Sequence, residues 1–249
     1  MNEPQIKKKM QSLKYLIAAI LLTSLTTGCV EAQFRKTVRG DGPVIKEDRK
    51  VSVFDEIKVS TGIDVYLSQG NKQSLTVEAD ENLHEYIKTD VSGGILHVYT
   101  DANIREAKMK RVYVTMEDVR SLKTSSAGDI IGETPIKGDN IEIGASSAGD
   151  IRLEVYANDL DINISSSGNV RLDGEADFME ADLSSAGDLE AYGLVVKEAD
   201  VSVSSAGDAK INVTDKLVAR ASSAGDIYYQ GNPRQVDAHA SSAGGIRKR

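Results

Sequence analysis

The sequence predicts an all-β fold: a single-chain, β-helix-like solenoid with coils of about 19 residues, preceded by less regular β-rich coils. Two observations carry this. A pentapeptide recurs at a steady period, and apolar residues around each copy alternate strictly with polar ones. Aromatics are scarce and tryptophan is absent.

The pentapeptide Ser-Ser-Ala-Gly-Asp starts at Ser125, Ser146, Ser184, Ser204 and Ser222, with variants SSSGN at Ser165 and SSAGG at Ser241. Successive spacings are 21, 19, 19, 20, 18 and 19 residues. Such regularity is the signature of stacked units, none of which buries its apolar face alone. With the first serine of each copy as position zero, apolar residues fall at odd offsets. Offset −3 holds Leu122, Ile143, Ile162, Ala181, Val201, Ala219 and Ala238; offset +5 holds Ile130, Ile151, Val170, Leu189, Ala209, Ile227 and Ile246. Even offsets are mostly polar, as at Glu142, Asp161, Asn163, Asp182 and Arg220. A period of two is a strand with one face buried. Stacked coils then sit about 4.8 Å apart.

By the same parity, the second serine and the glycine of each motif point inward, and the first serine, the alanine and the aspartate point outward. The structural turn motif therefore comprises Ser125 and Gly128, Ser146 and Gly149, Ser165 and Gly168, Ser184 and Gly187, Ser204 and Gly207, and Ser222 and Gly225. Small residues at the inner positions bring the wall close to the interior.

The N-terminus reads separately. Lys7, Lys8, Lys9 and Lys14 precede an apolar run of 11 residues, Tyr15 to Leu25. A membrane-spanning helix needs about 20, so residues 1–28 read as a signal peptide of lipoprotein type. Cys29, the only cysteine, directly follows small residues. Its place resembles the lipobox of bacterial lipoproteins, with Thr26 where leucine is usual, and predicts lipidation of Cys29. Acyl chains contribute about 0.8 kcal/mol per buried CH2. Residues 29–50 read as an anchor linker and 51–249 as one domain, with an irregular part over 51–120 and regular repeats over 121–249. Within the irregular part, Ser60 fits a divergent coil, because Ile57, Val59, Ile63, Val65 and Leu67 keep odd offsets and Asp64 takes the motif aspartate's place. Ser92 is a second, weaker candidate coil. Short helices are expected over 82–88, capped by Asp80, and over 101–110.

Removing residues 1–28 takes four lysines and Glu3 from 30 basic and 38 acidic residues, leaving 26 and 37, a net charge of −11. That excludes nucleic acid as a partner, since its binding needs basic patches.

For chemistry, the outward aspartates Asp129, Asp150, Asp188, Asp208 and Asp226 form a column interrupted by Asn169. Neighbouring carboxylates repel by roughly 0.9 kcal/mol per pair at the dielectric of water, and Ca2+ would relieve this. The alternative is that each side chain caps backbone N–H groups at its turn. Asn169 fits capping, because it keeps hydrogen bonding and drops charge, so no metal and no other cofactor is expected. The repeated serines lack a positioned base and read as a structural ladder. His84, His97 and His239 read as surface histidines.

Phe54-Asp55-Glu56-Ile57, Gly62-Ile63-Asp64-Val65, Ser92-Gly93-Gly94-Ile95-Leu96 and the SSAGD repeats together resemble the auto-transporter adhesin, head GIN domain family of Bacteroidetes-type lipoproteins. Asp64 stands where the family has asparagine. The resemblance covers roughly residues 50–249 and implies a β-helix-like fold at the cell envelope, with no catalytic residues. The expected function is thus non-catalytic: an exported lipoprotein of the outer membrane or cell surface, held by its lipid, binding an unknown protein or glycan. A polysaccharide-processing enzyme and a periplasm-facing structural or sensory lipoprotein are the alternatives. The expected state is a monomer or an end-to-end homodimer.

Overall fold

The computed structural model describes residues 35–249. The signal peptide, Cys29 and the start of the linker lie outside the described residues. Among the described residues, no helix is long and apolar enough to cross a membrane.

The core is a β-solenoid of parallel strands in register. The first regular coils pair Ser121–Thr124 with Ile136–Ala145, and Asp129–Gly132 with Asp150–Ile164. The longer strands Asn169–Leu183, Asp188–Val203 and Asp208–Ala221 follow, then Asp226–Gln230, Gln235–Ala240 and Gly245–Lys248. Sequence offsets become spatial columns. Leu122, Ile143, Ile162, Ala181, Val201 and Ala219 lie one above another, and all are at most 1% exposed. Alternation buries them because successive strand side chains point to opposite faces.

Each motif forms a two-residue turn of type I′. In the first copy Ser126 and Ala127 have φ of 52° and 57°, and Gly128 N–H donates to Ser125 O at 3.1 Å. All seven copies repeat this pair of positive φ values on non-glycine residues. Left-handed backbone costs an L-residue about 1–2 kcal/mol. The stack offsets it with backbone bonds between neighbouring turns: Ala127 N–H donates to Ser147 O at 3.1 Å, and Ala148 N–H to Ser166 O at 3.1 Å. The turn also corrects the parity expectation. The second serine is exposed, because the left-handed pair swings outward; the glycine is buried as expected. At Gly168 the reason is a close approach: a Cβ there would lie 2.5 Å from Ala145 O.

The irregular part supplies further coils out of sequence order. Glu56–Val59 and Asp64–Gln69 stack directly against Ser121–Thr124 and Asp129–Gly132. Between them Thr61 (φ 62°) and Gly62 (φ 66°) repeat the pair of positive φ values, and Gly62 N–H donates to Ser126 O at 3.0 Å as one turn does to the next, so Ser60 is a true coil position. Beyond this coil lie Ile95–Thr100 and Lys110–Met116, which pair with it in parallel. Ser92 is not a coil corner. Ser92-Gly93-Gly94-Ile95 joins Ile87–Ser92 to Ile95–Thr100 as an antiparallel hairpin, with both glycines at positive φ.

Antiparallel strands finish this end. Ser74–Asp80 pairs with Lys110–Met116, and Val44–Asp48 pairs with Ser74–Asp80. Val44–Asp48, read from composition as linker, is therefore part of the sheet. The expected helix over 82–88 is only a 3-10 turn, Glu81–Leu83, and Asp80 makes no side-chain cap to it. Instead the fully buried Asp80 carboxylate accepts the N–H groups of Lys108 at 2.7 Å and Met109 at 3.4 Å. The segment expected as a helix over 101–110 contains the strand Asn103–Glu106. Charged residues there alternate without an apolar helical stripe, so pairing decides the backbone.

His84 also departs from expectation. It is buried, 8% exposed, with Nε2 3.3 Å from both Ile45 O and Ala79 O, and Nδ1 3.2 Å from Glu47 Oε2. Arg49 reaches past it to His84 O at 2.8 Å and Ile87 O at 2.6 Å. Together they fasten the outer strand to the end of the solenoid.

Candidate functional site

Two columns flank each stack of turns. After the turn come the motif aspartates. Asp64, Asp129, Asp150, Asn169, Asp188, Asp208 and Asp226 are consecutive partners in the ladder. Asn169 divides the column into two carboxylate triplets and donates its amide to Asp150 Oδ1 at 2.8 Å. Asp188 Oδ1 accepts the N–H of Asp208 at 3.1 Å. Capping thus runs from one coil to the next rather than within a turn. The central member of each triplet is perturbed most. Burial, then the charges of Asp150 and Asp64, push the Asp129 carboxyl above its ordinary value. Partial burial, then Asp188 and Asp226, raise Asp208. One outer member of each triplet has a cationic partner: Arg152 lies 3.5 Å from Asp150 and Arg247 3.1 Å from Asp226. Among the described residues, no group of three or more acidic, histidine or cysteine side chains is arranged to hold a metal ion.

Before the turn, the first serines line a groove of about 800 Å3 that runs along the stack from Lys58 to Ser241. Its edge is the serine column, and its other wall is formed by residues two positions earlier, among them Lys123, Asn163, Asp182, Arg220 and His239. Ser125, Ser146, Ser165, Ser184 and Ser222 are half-buried. Among the described residues, their hydroxyls have no hydrogen-bond partner within the chain, and Ser204 Oγ reaches only Leu183 O at 3.5 Å. Charges along the groove are close to balance. Lys123 pairs with Glu142 at 2.7 Å, and Arg220 with Asp200 at 2.6 Å. The hydrogen bond from Lys123 holds the Glu142 carboxyl below its ordinary value.

Sequence reasoning placed the serines and aspartates in columns, which the ladder bears out. It missed the groove. The available signal was that the serines and the residues two before them share even offsets, hence one wet face. What the pattern lacks is the angle between strand and turn that makes this face concave. His97 is half-buried and His239 exposed; neither makes a hydrogen bond with a groove serine.

A long coil stack with an open lateral groove defines a β-solenoid. The chain belongs to the family described as "Putative auto-transporter adhesin, head GIN domain", whose pattern matches residues 53–233. Membership points to an exported or surface protein. Solved structures share the fold. A putative adhesin from Bacteroides fragilis NCTC 9343 is 22% identical, with a TM-score of 0.78, covering 85% of this chain and all of that one. A putative adhesin from Parabacteroides merdae ATCC 43184 is 24% identical, with a TM-score of 0.71, covering 86% of this chain and 99% of that one. A putative lipid binding protein from Parabacteroides distasonis ATCC 8503 is 24% identical, with a TM-score of 0.70, covering 86% of this chain and all of that one. A comparison with curated proteins finds no match.

Proposed function

We propose that the chain is a non-catalytic binding protein of the cell envelope, an adhesin-type solenoid held to a membrane by a lipid on Cys29. The observation that carries this reading is the groove: long, open, charge-balanced and edged by serine hydroxyls of which, among the described residues, only Ser204 has a partner within the chain. Repetition argues against catalysis at the serines. Each is equivalent to its neighbours, and a nucleophile needs one positioned base. Family membership supports the binding role, and the apolar run Tyr15 to Leu25 shortly before Cys29 supports export and anchoring.

Metabolic labelling with a radioactive fatty acid tests the anchor: the wild type takes up label and Cys29→Ser does not. Protease shaving of intact cells tests exposure, with loss of the protein expected. Beads coated with the chain should adhere to host-cell or matrix surfaces. Release of reducing ends from polysaccharides by the purified chain would overturn the non-catalytic reading, and full protection from protease would place it on the periplasmic face.

A further inference from the structure

We propose that the serine-edged groove binds a linear, uncharged polysaccharide lying along the solenoid axis, with one sugar ring per coil. The proposal rests on the binding-protein reading above and names the ligand class of that groove.

Shape comes first. The groove crosses every coil from Lys58 to Ser241, so its occupant is a linear polymer rather than a compact molecule. Period comes second. Each coil from Ser125 to Ser222 offers one half-buried serine hydroxyl, and coils follow one another every ~4.8 Å. A pyranose ring in an extended chain advances by nearly that distance and carries hydroxyls that both donate and accept, as serine does. An extended peptide advances about 3.4 Å per residue and falls out of step with the coils. It would also bring backbone amides that need a strand edge, and the groove offers side chains.

Charge comes third. Lys123 and Arg220 are already paired with Glu142 and Asp200, and Asp182 faces the middle of the groove. A polyanion such as nucleic acid needs a run of free cations, and of the groove's lysines and arginines only Lys58, at its end, is left without an ion pair among the described residues. Hydroxyls left without a protein partner at a half-buried site lose part of their water on ligand contact and recover bonds from the sugar. No aromatic platform lines the groove, so each ring contributes little and affinity must accumulate coil by coil.

The test is isothermal titration of the full chain in detergent micelles with β-1,4-linked oligomers of glucose, mannose and xylose, of increasing length. For at least one sugar, affinity should rise roughly threefold per added ring, as weak additive hydrogen bonds dictate, and level off when the oligomer spans the groove. The double variant Ser165→Ala, Ser184→Ala should weaken the longest oligomer about tenfold or more, with an unchanged melting temperature. Arg171→Gln, on the strand beyond the turn, should leave binding unchanged. No binding by any of the three series, affinity independent of length, or full affinity in the double variant would each overturn the proposal. Adhesion of beads coated with the same double variant separates the two levels. If they adhere as the wild type does, the binding-protein reading stands and this groove assignment falls; if wild-type beads fail to adhere, the broader reading falls too.

Discussion

Replacing Asp129 by asparagine should stabilise the protein. Asp129 sits between Asp64 and Asp150 in register, about one coil spacing of 4.8 Å from each. Two unit charges at that separation repel by about 0.9 kcal/mol in water, so two neighbours impose close to 2 kcal/mol. Salt at physiological strength, with a screening length of about 8 Å, and splaying of the side chains reduce this towards 1 kcal/mol. Burial adds to it, being the largest cause of the raised Asp129 value. Asparagine already occupies the equivalent place at Asn169, where it bonds Asp150. The expected gain at pH 7 is about 1–2 kcal/mol, or roughly 2–8 °C in melting temperature for a domain of this size. Because the folded-state value of Asp129 lies above its unfolded value of 3.8, the folded chain holds the extra proton. The wild type therefore gains stability on acidification and loses it as pH rises through the folded value. Urea melts of both proteins across pH should converge below about pH 3, where the side chain is neutral in both states, and the pH 7 gap should narrow in high salt. A destabilised Asp129→Asn, or one that matches the wild type at pH 7 in low salt, would refute the reasoning and mean that the carboxylate is held by a favourable partner.

Adjacent positions in one turn should respond with opposite sign. Gly168→Ala forces a Cβ to 2.5 Å from Ala145 O and should cost roughly 3 kcal/mol through overpacking. Ser167→Gly relaxes a residue at φ 60° and should stabilise by about 0.5 kcal/mol, the relief of left-handed strain less the added freedom of the unfolded chain; denaturant melts read both. Glu142→Gln should cost under about 1 kcal/mol at neutral pH, as exposed pairs do. Glu142 has a lowered folded-state value, chiefly from Lys123. Its contribution is present above the unfolded value of 4.5 and lost as pH falls through the folded one, so the variant should match the wild type in acid.

The sequence by itself determined the strands, the inward columns and the in-register stacking. A period of two fixes which face of a strand is buried, and a constant repeat length fixes which residues meet in the next coil. Leu122, Ile143 and Ile162 were predicted neighbours, and so were Asp129 and Asp150; the direct stacking of Ile57 on Leu122 and of Asp64 on Asp129 was not, because Ser92 was read as a coil between them. Only the tertiary structure decided what breaks that periodicity. The second serine faces water because a type I′ turn inverts the alternation for one residue, and residues 95–116 lie beyond the 56–69 coil because antiparallel strands carry the chain there and back. His84 and Asp80 are buried because Val44–Asp48 covers them from a distant part of the chain. The groove has the same origin. Its residues are each legible as wet, but concavity is a property of the angle between neighbouring segments, which long-range backbone pairing sets and local pattern does not encode.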